Sequence, residues 1–307
     1  MPDRREHGWP ARGPAGRIAY VNGVYVRHGL AGVHIEDRGF QFADSIYEVF
    51  GVVDGCIRDE DEHFDRLERS LREIAMAMPM QRDAFRLVLR ELARRNRLDD
   101  GLIYLQVTRG AVRRDHAIPG HPPRPTLIAT ARRIDKNAAE KRRQTGIRVV
   151  TLPDERWARC DIKSTALLPN ILAKTAARRE DAFEAWLIDR DGYVTEGAST
   201  SAWIVDGEGR LVTRDLSRAI LPGVTRRVIM EAAETAQIPI TERSFTLDEA
   251  RTATEAFITA ATLGALPVIA VDGHRIGDGK PGPVARRIQE LYDHTAALKA
   301  GGRSRGQ

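Results

Sequence analysis

The stretch WARCDIKSTALLPNILAK (Trp157–Lys174) sets one lysine, Lys163, between Asp161–Ile162 and Ser164–Thr165, directly ahead of an apolar run. The chain holds six lysines against forty-two arginines, so a lysine in such a setting invites a reason. An arginine keeps its proton at any usable pH. A partly desolvated lysine can become a free amine and condense with a carbonyl. Lys163 is therefore a candidate carrier of pyridoxal phosphate. Read alone, the stretch also allows a plain surface lysine at the start of a helix.

A second stretch, TEGASTS (Thr195–Ser201), follows the turn Asp189–Arg190–Asp191–Gly192. Pyridoxal chemistry needs a carboxylate near the pyridine nitrogen, because a protonated ring is the better electron sink. Glu196, with Gly197 beside it, could approach a ring closely enough to supply it. A turn glutamate with small neighbours is common by itself; the two stretches in this order are not.

Several blocks carry a resemblance to a known family: EDRGFQFADSIYEV (Glu36–Val49), EHFDRLERS (Glu62–Ser70), IYLQVTRGAVRRDHAIP (Ile103–Pro119), RWARCDIKS (Arg156–Ser164), VTEGASTS (Val194–Ser201) and ILPGVTR (Ile220–Arg226). In this order the chain resembles the fold-type IV pyridoxal-phosphate aminotransferases, and within them the D-amino-acid transaminases. The resemblance implies an α+β, two-domain fold. A smaller N-terminal α/β sandwich at 17–131 would precede a linker at 132–146. A larger cofactor-binding domain at 147–300 would follow, a pseudo-barrel of mostly β-strands with flanking helices. Residues 1–16 read as a mobile extension and 301–307 as a polar tail.

The length suits two domains and a sizeable core. Hydrophobic residues make up 42% and charged residues 30%, ordinary values for a globular protein. The two cysteines, Cys56 and Cys160, have no metal or redox spacing and point to a reducing, cytoplasmic compartment. No apolar run approaches a membrane span, and the N-terminus has no secretory apolar segment. The formal charge is +5. The arginines alternate with acids, as in DRLERSLRE, which reads as solvated helix faces rather than a nucleic-acid surface. A modest basic balance suits anionic substrates and a phosphate.

Along the chain, Asn22–Gly23, Asp54–Gly55, Asp206–Gly209 and Asp272–Gly273 read as hairpin turns. Strands are expected at Asp44–Val53, Ile103–Thr108, Thr126–Ala131, Ile147–Leu152, Glu184–Asp189, Tyr193–Glu196, Ser201–Val205, Glu255–Thr259 and Pro267–Val271. Helices are expected at Glu60–Met78, closed by Pro79, and at Arg82–Arg97, Leu167–Glu180, Arg226–Ala236 and Pro283–Leu298. Thr246–Glu249 reads as a capping box. The charged run Arg132–Gly146 has no apolar face and reads as the interdomain linker. Tyr47 and Val49 are two apart on a strand and share a face.

The resemblance assigns roles residue by residue. Lys163 is the catalytic lysine and holds the cofactor, and Glu196 meets the pyridine nitrogen. Arg66 and the main-chain N–H groups of Val224 and Thr225 take the phosphate, with Ser199, Thr200, Leu221 and Thr262 as further cofactor contacts. A fork of donors suits phosphate oxygens, and a helix start leaves N–H groups free for them. From the residues alone, Arg66 also reads as a surface arginine paired to Glu62 or Glu73. Tyr47, Val49, Arg114 and His116 would face the substrate, Tyr47 with Arg114 and His116 trapping its carboxylate. The last two come from the neighbouring subunit, so a homodimer is implied. The family's other branches (branched-chain and (R)-amine transaminases, aminodeoxychorismate lyase) share the lysine and glutamate; the transaminases among them differ in this loop. One departure stands in TAATL (Thr259–Leu263), where Ala260, Ala261 and Leu263 remove hydroxyls and Thr262 remains.

Overall fold

The computed structural model describes residues 16–304, and side chains as far as residue 295. The extension read at 1–16 lies, up to residue 15, outside the described residues. The chain divides into two compact units. One runs up to Ile57 and over Leu67–Ile134; the other takes Arg58–Arg66 and the chain from Asp135 onward.

The first unit holds strands β1 (Ile18–Val21) and β2 (Val24–Arg27), a short helix α1 (Arg38–Phe42), strands β3 (Ser45–Val53) and β4 (Cys56–Ile57), part of helix α2 (Glu60–Glu73), helix α3 (Arg82–Asn96), and strands β5 (Gly101–Thr108) and β6 (Thr126–Arg133). The six strands form one sheet in the order β2-β1-β6-β5-β3-β4, antiparallel at every pairing. Both expected hairpin turns form. Asn22 and Gly23 have φ of 48° and 98°, and Asp54 and Gly55 have 48° and 74°, the positive pair that a two-residue hairpin needs. On β3, Ile46 and Phe50 are fully buried while Tyr47 and Val49 are half-buried on the opposite face. Helix α3 buries Phe85, Leu89 and Leu92. Its Asn96 side chain holds both the N–H and the carbonyl of Ile18, each at 3.0 Å.

Helix α2 ends at Glu73 rather than running to Met78. Ala75 turns left-handed at φ 52°, and Met76 N–H donates to the Leu71 carbonyl at 2.9 Å, closing the helix five residues early. This stop usually carries glycine; with alanine there it leaves no mark in the sequence.

The second unit opens with α4 (Lys136–Thr145) and β7 (Ile147–Pro153). It continues through α5 (Leu168–Arg179), β8 (Glu184–Ile188), β9 (Val194–Gly197), β10 (Ser201–Val205), β11 (Leu211–Thr213), α6 (Val224–Thr235), β12 (Ile240–Glu242) and α7 (Leu247–Thr252). It closes with β13 (Glu255–Ala260), β14 (Gly264–Val271), β15 (His274–Arg275) and α8 (Pro283–Ser304). The mixed sheet runs β12-β11-β10-β13-β14-β7-β8-β9, with β15 on β14. It curls until its last strand, β9, turns directly into β10, where Gly197 N–H donates to the Thr200 carbonyl at 2.7 Å. A side chain at Gly197 would place its Cβ against the Thr200 hydroxyl, so the turn needs glycine.

Strand β10 is buried on both faces. Ala202 and Ile204 join a core with Trp186, Phe245 and Ile258; Trp203 and Val205 join a second with Phe257, Val228 and Tyr292 under α6 and α8. Period-two alternation feeds both. The capping box at Thr246 and Glu249 forms as read. Several boundaries differ from expectation, among them the start of β14, at Gly264 rather than Pro267. The stretch read as a linker, Arg132–Gly146, completes β6 and then forms α4, capped by Asp135, with none of its residues buried. Helix α6 starts at Val224, two residues early, because extended Gly223 serves as its N-cap. Helix α8 continues to Ser304, past Leu298 and into the expected tail.

Candidate active site

Lys163 lies half-buried in the loop between β7 and α5. The loop is held from several sides. Asp161 is buried and pairs with Arg159 at 2.9 and 3.0 Å, and Cys160 N–H donates to the Arg218 carbonyl at 2.9 Å. The other lysine of the quoted stretch, Lys174, is ion-paired at 2.9 Å to Glu184, whose side chain is fully buried. Glu184 also accepts from Ser199 Oγ at 2.7 Å and from Ala185 N–H at 3.0 Å.

Glu196 sits at the end of β9, where the sheet curls shut. Arg156 Nη1 donates to its Oε1 in a buried ion pair, and Leu221 N–H donates to the same oxygen at 3.1 Å. Oε2 takes no hydrogen bond among the described residues, so one carboxylate oxygen remains for a ring N–H. Burial pushes the Glu196 carboxyl up, and the charge and hydrogen bond of Arg156 oppose that shift. Arg156 is itself anchored by Asp154 at 2.9 and 2.7 Å and by the Ala219 carbonyl at 3.0 Å. Burial would raise Asp154 too, but its bonds to Arg156 and Thr195 hold it below the usual carboxylate range.

The segment 220–225 continues from Leu221 into an anion cradle. Arg66, buried, donates to the Pro222 carbonyl at 3.2 Å, and its Nη2 lies 3.5 Å from His63 Nδ1. Helix α6 begins at the next turn with no side-chain cap, leaving the N–H groups of Val224 and Thr225 for a ligand. Gly223 passes so close to Ser201 that a Cβ there would stand 2.9 Å from its hydroxyl. Thr200 Oγ1 is buried with no partner among the described residues. Thr262 lies half-buried in the turn joining β13 to β14, beside the start of β10. The Thr259 hydroxyl is taken by Trp203 Nε1 at 3.1 Å, so Thr262 carries the remaining hydroxyl of TAATL. An unfilled carboxylate oxygen, an orphaned buried hydroxyl, bare helix N–H groups and a buried arginine fit a phosphorylated pyridine ring.

The substrate-facing candidates stand in the first unit. Tyr47 stacks on Tyr104, ring centroids 5.6 Å apart, and Val49 shares its face on β3. Burial and the neighbouring Tyr47 push the Tyr104 phenol up to about 12. Arg114 and His116 are exposed on the loop after β5 and both approach Phe42, at 5.1 and 5.3 Å from its ring centre.

Comparison with known proteins identifies the scaffold. The amino-transferase class IV model matches residues 45–271. The chain belongs to the class IV aminotransferases. It is 38% identical over 274 residues to a D-alanine aminotransferase of Staphylococcus haemolyticus, covering 89% of this chain and 96% of that one. It is 39% identical to the D-alanine aminotransferase of Bacillus licheniformis, covering 89% and 95%. Among solved structures, the branched-chain amino acid aminotransferase of Escherichia coli superposes with a TM-score of 0.81 at 24% identity, over 92% and 95% of the two chains. A PLP-bound aminotransferase from Mycobacterium tuberculosis gives 0.79 at 21%, over 92% and 99%. These structures share the fold.

In this class IV aminotransferase the structure gathers Glu196, Leu221, Arg66, Val224, Thr225 and Thr200 around one segment of the second unit. Ser199 stands apart, engaged by Glu184. Arg156, Asp154, Arg38 and Phe42 were not singled out by sequence, although all but Asp154 lie inside the family blocks. Arg38 is buried, as Arg66, Arg109 and Arg226 are, and the Arg156 side chain is only 6% exposed; among forty-two arginines, such burial is not written in residue type. Among the described residues no helix is long and apolar enough to cross a membrane, and no group of three or more His, Cys, Asp or Glu could hold a metal.

Proposed function

We propose that this class IV aminotransferase moves the amino group of D-alanine to 2-oxoglutarate, giving pyruvate and D-glutamate, with pyridoxal phosphate held on Lys163. One observation carries the choice of a D-amino acid: relatives named D-alanine aminotransferase are 36–39% identical over 89% of the chain. The loop bearing Arg114 and His116 supports it.

The cofactor supplies a carbonyl for the substrate amine and an electron sink for charge at the substrate α-carbon. Everything else falls to the protein. The Lys163 amine, once free, would take the proton from the α-carbon and return it two atoms along, beyond the substrate nitrogen, acting as base and then acid. Glu196 Oε2 would accept the pyridine N–H, and the charge and hydrogen bond of Arg156 favour the carboxylate form that burial opposes. Arg66, the N–H groups of Val224 and Thr225, and the hydroxyls of Thr200 and Thr262 hold the phosphate. Tyr47, Arg114 and His116 fix the substrate carboxylate, with Val49 beside them, and so decide which hydrogen faces Lys163. In a homodimer Arg114 and His116 would serve the neighbouring subunit's site. The exposed apolar side chains Ile35, Phe40 and Ile118 near that loop support such an assembly. The two free cysteines suit a cytoplasmic setting.

The test is a coupled assay of the purified yellow protein, with 2-oxoglutarate as acceptor and D-alanine, L-leucine or (R)-1-phenylethylamine as donor. Turnover with D-alanine alone is expected. Turnover with L-leucine or the amine, and none with D-alanine, would overturn the substrate assignment.

A further inference from the structure

The loop that carries Arg114 and His116 does not stand by itself. Its backbone is held by Arg38, which is buried at the start of α1. Arg38 Nη1 donates to the Asp115 carbonyl at 2.6 Å and the Ala117 carbonyl at 3.3 Å, and Nη2 donates to the His116 carbonyl at 3.2 Å. One guanidinium thus takes three successive carbonyls. Its Nε is fixed by Asp44 at 2.7 Å, and Asp44 is gripped in turn by Arg109 at 2.7 and 3.0 Å. The planar fork makes this possible; an ammonium could not reach all four acceptors in one geometry.

Phe42 lies four residues on from Arg38, on the same face of α1. Its ring meets the Arg38 guanidinium at 5.0 Å, the Arg114 guanidinium at 5.1 Å and the His116 ring at 5.3 Å with a tilt of 47°. Exposed arginine and histidine side chains ordinarily sample many rotamers. Here one aromatic ring meets both, through a cation–π contact and a tilted ring contact.

We propose that Arg38 and Phe42 are positioning residues that pre-organise Arg114 and His116 as a single receptor for the substrate carboxylate. Arg38 sets the path of the loop and Phe42 sets the direction of its two side chains. The proposal rests on the reading of Arg114 and His116 as carboxylate ligands, and adds what holds them ready. Pre-organisation lowers the cost of binding without touching the proton transfer, so its signature is in KM and not in kcat.

The test uses the holoenzyme and the variants Phe42→Leu, Arg38→Lys and the pair Arg114→Ala/His116→Ala. KM and kcat are measured for D-alanine, with the inhibition constant of propionate, a carboxylate lacking the amine. Trypsin nicking after Arg113 and Arg114 is followed by mass spectrometry as a readout free of turnover. Phe42→Leu is expected to raise KM and the propionate constant together by about fivefold, with kcat within about twofold. Arg38→Lys is expected to do the same and to speed nicking. On the Arg114→Ala/His116→Ala background, Phe42→Leu should have no further effect on propionate. If Phe42→Leu and Arg38→Lys leave both constants unchanged while the alanine pair raises them, the proposal is overturned and the carboxylate reading survives. A fall in kcat alone overturns it as well. Unchanged constants in the alanine pair remove the carboxylate reading, and the proposal with it.

Discussion

Arg156 and Glu196 form an ion pair whose side chains are only 6% and 7% exposed, and it joins the loop bearing Lys163 to the strand that closes the curled sheet. Burial works against a charged Glu196, and Arg156 is the nearest counterweight. Replacing Arg156 by methionine leaves that carboxylate uncompensated. Unfolding free energy should fall by about 3 kcal/mol, the cost of breaking a buried pair from one side. The cofactor should also be lost more readily on dialysis. Unchanged thermal unfolding and unchanged cofactor retention would contradict the role given to Arg156.

The two lysines of the central stretch should separate cleanly. Lys163→Ala is expected to abolish turnover and the yellow colour of the lysine-bound cofactor. Lys174→Met should keep both, because Lys174 serves Glu184. Its cost is stability, about 2 kcal/mol, between that of an exposed and a buried pair because Lys174 itself is partly exposed. Turnover surviving in Lys163→Ala would sink the assignment.

Acid should loosen the protein through Asp44 and Asp154. Burial alone would raise both carboxyls, but hydrogen bonds and charge from Arg109 and Arg38, and from Arg156, hold them below the ordinary range. A carboxyl lowered in the folded state stabilises fully above its unfolded value of about 4 and loses that contribution as pH drops through the folded value. The urea midpoint should therefore fall as pH is taken below about 4, and less steeply in Asp44→Asn, whose starting stability is lower. An equally steep decline in the variant would rule out Asp44 as a source.

Thiol chemistry should distinguish the two cysteines. Cys56 is exposed, whereas burial pushes the Cys160 thiol up to about 11. Only the thiolate reacts. At mildly alkaline pH iodoacetamide should label Cys56 first and Cys160 far more slowly, as peptide mass spectrometry would report. Equal labelling would show that the loop before Lys163 opens freely.

Much of this was legible in local pattern. The turns Asn22–Gly23, Asp54–Gly55 and Asp272–Gly273 form as read, because a positive φ at both positions favours these residue types in any fold. Lys163, Glu196, Arg66, Val224 and Thr225 could be named as candidates because spacing and family blocks survive without a third dimension, although the helix itself starts two residues before the expected position. The early stop of α2 at Ala75 could not, since an alanine in left-handed conformation is imposed by packing rather than by its own preference. Helix α4 was hidden for a different reason: it buries no face, so it leaves no apolar period.

The sequence by itself placed most of the strands and helices, and its short-range spacing together with the family blocks marked Lys163, Glu196, Arg114 and His116 as candidates. Tertiary structure alone decided which charges are buried together. Arg156 meets Glu196 across forty positions, and Arg38 reaches the carbonyls of residues 115–117 some seventy-seven to seventy-nine positions away. Side chains so distant in the chain acquire their partners only when the sheet curls and the loops close, and it is the low dielectric of those closed places that gives the pairings their strength.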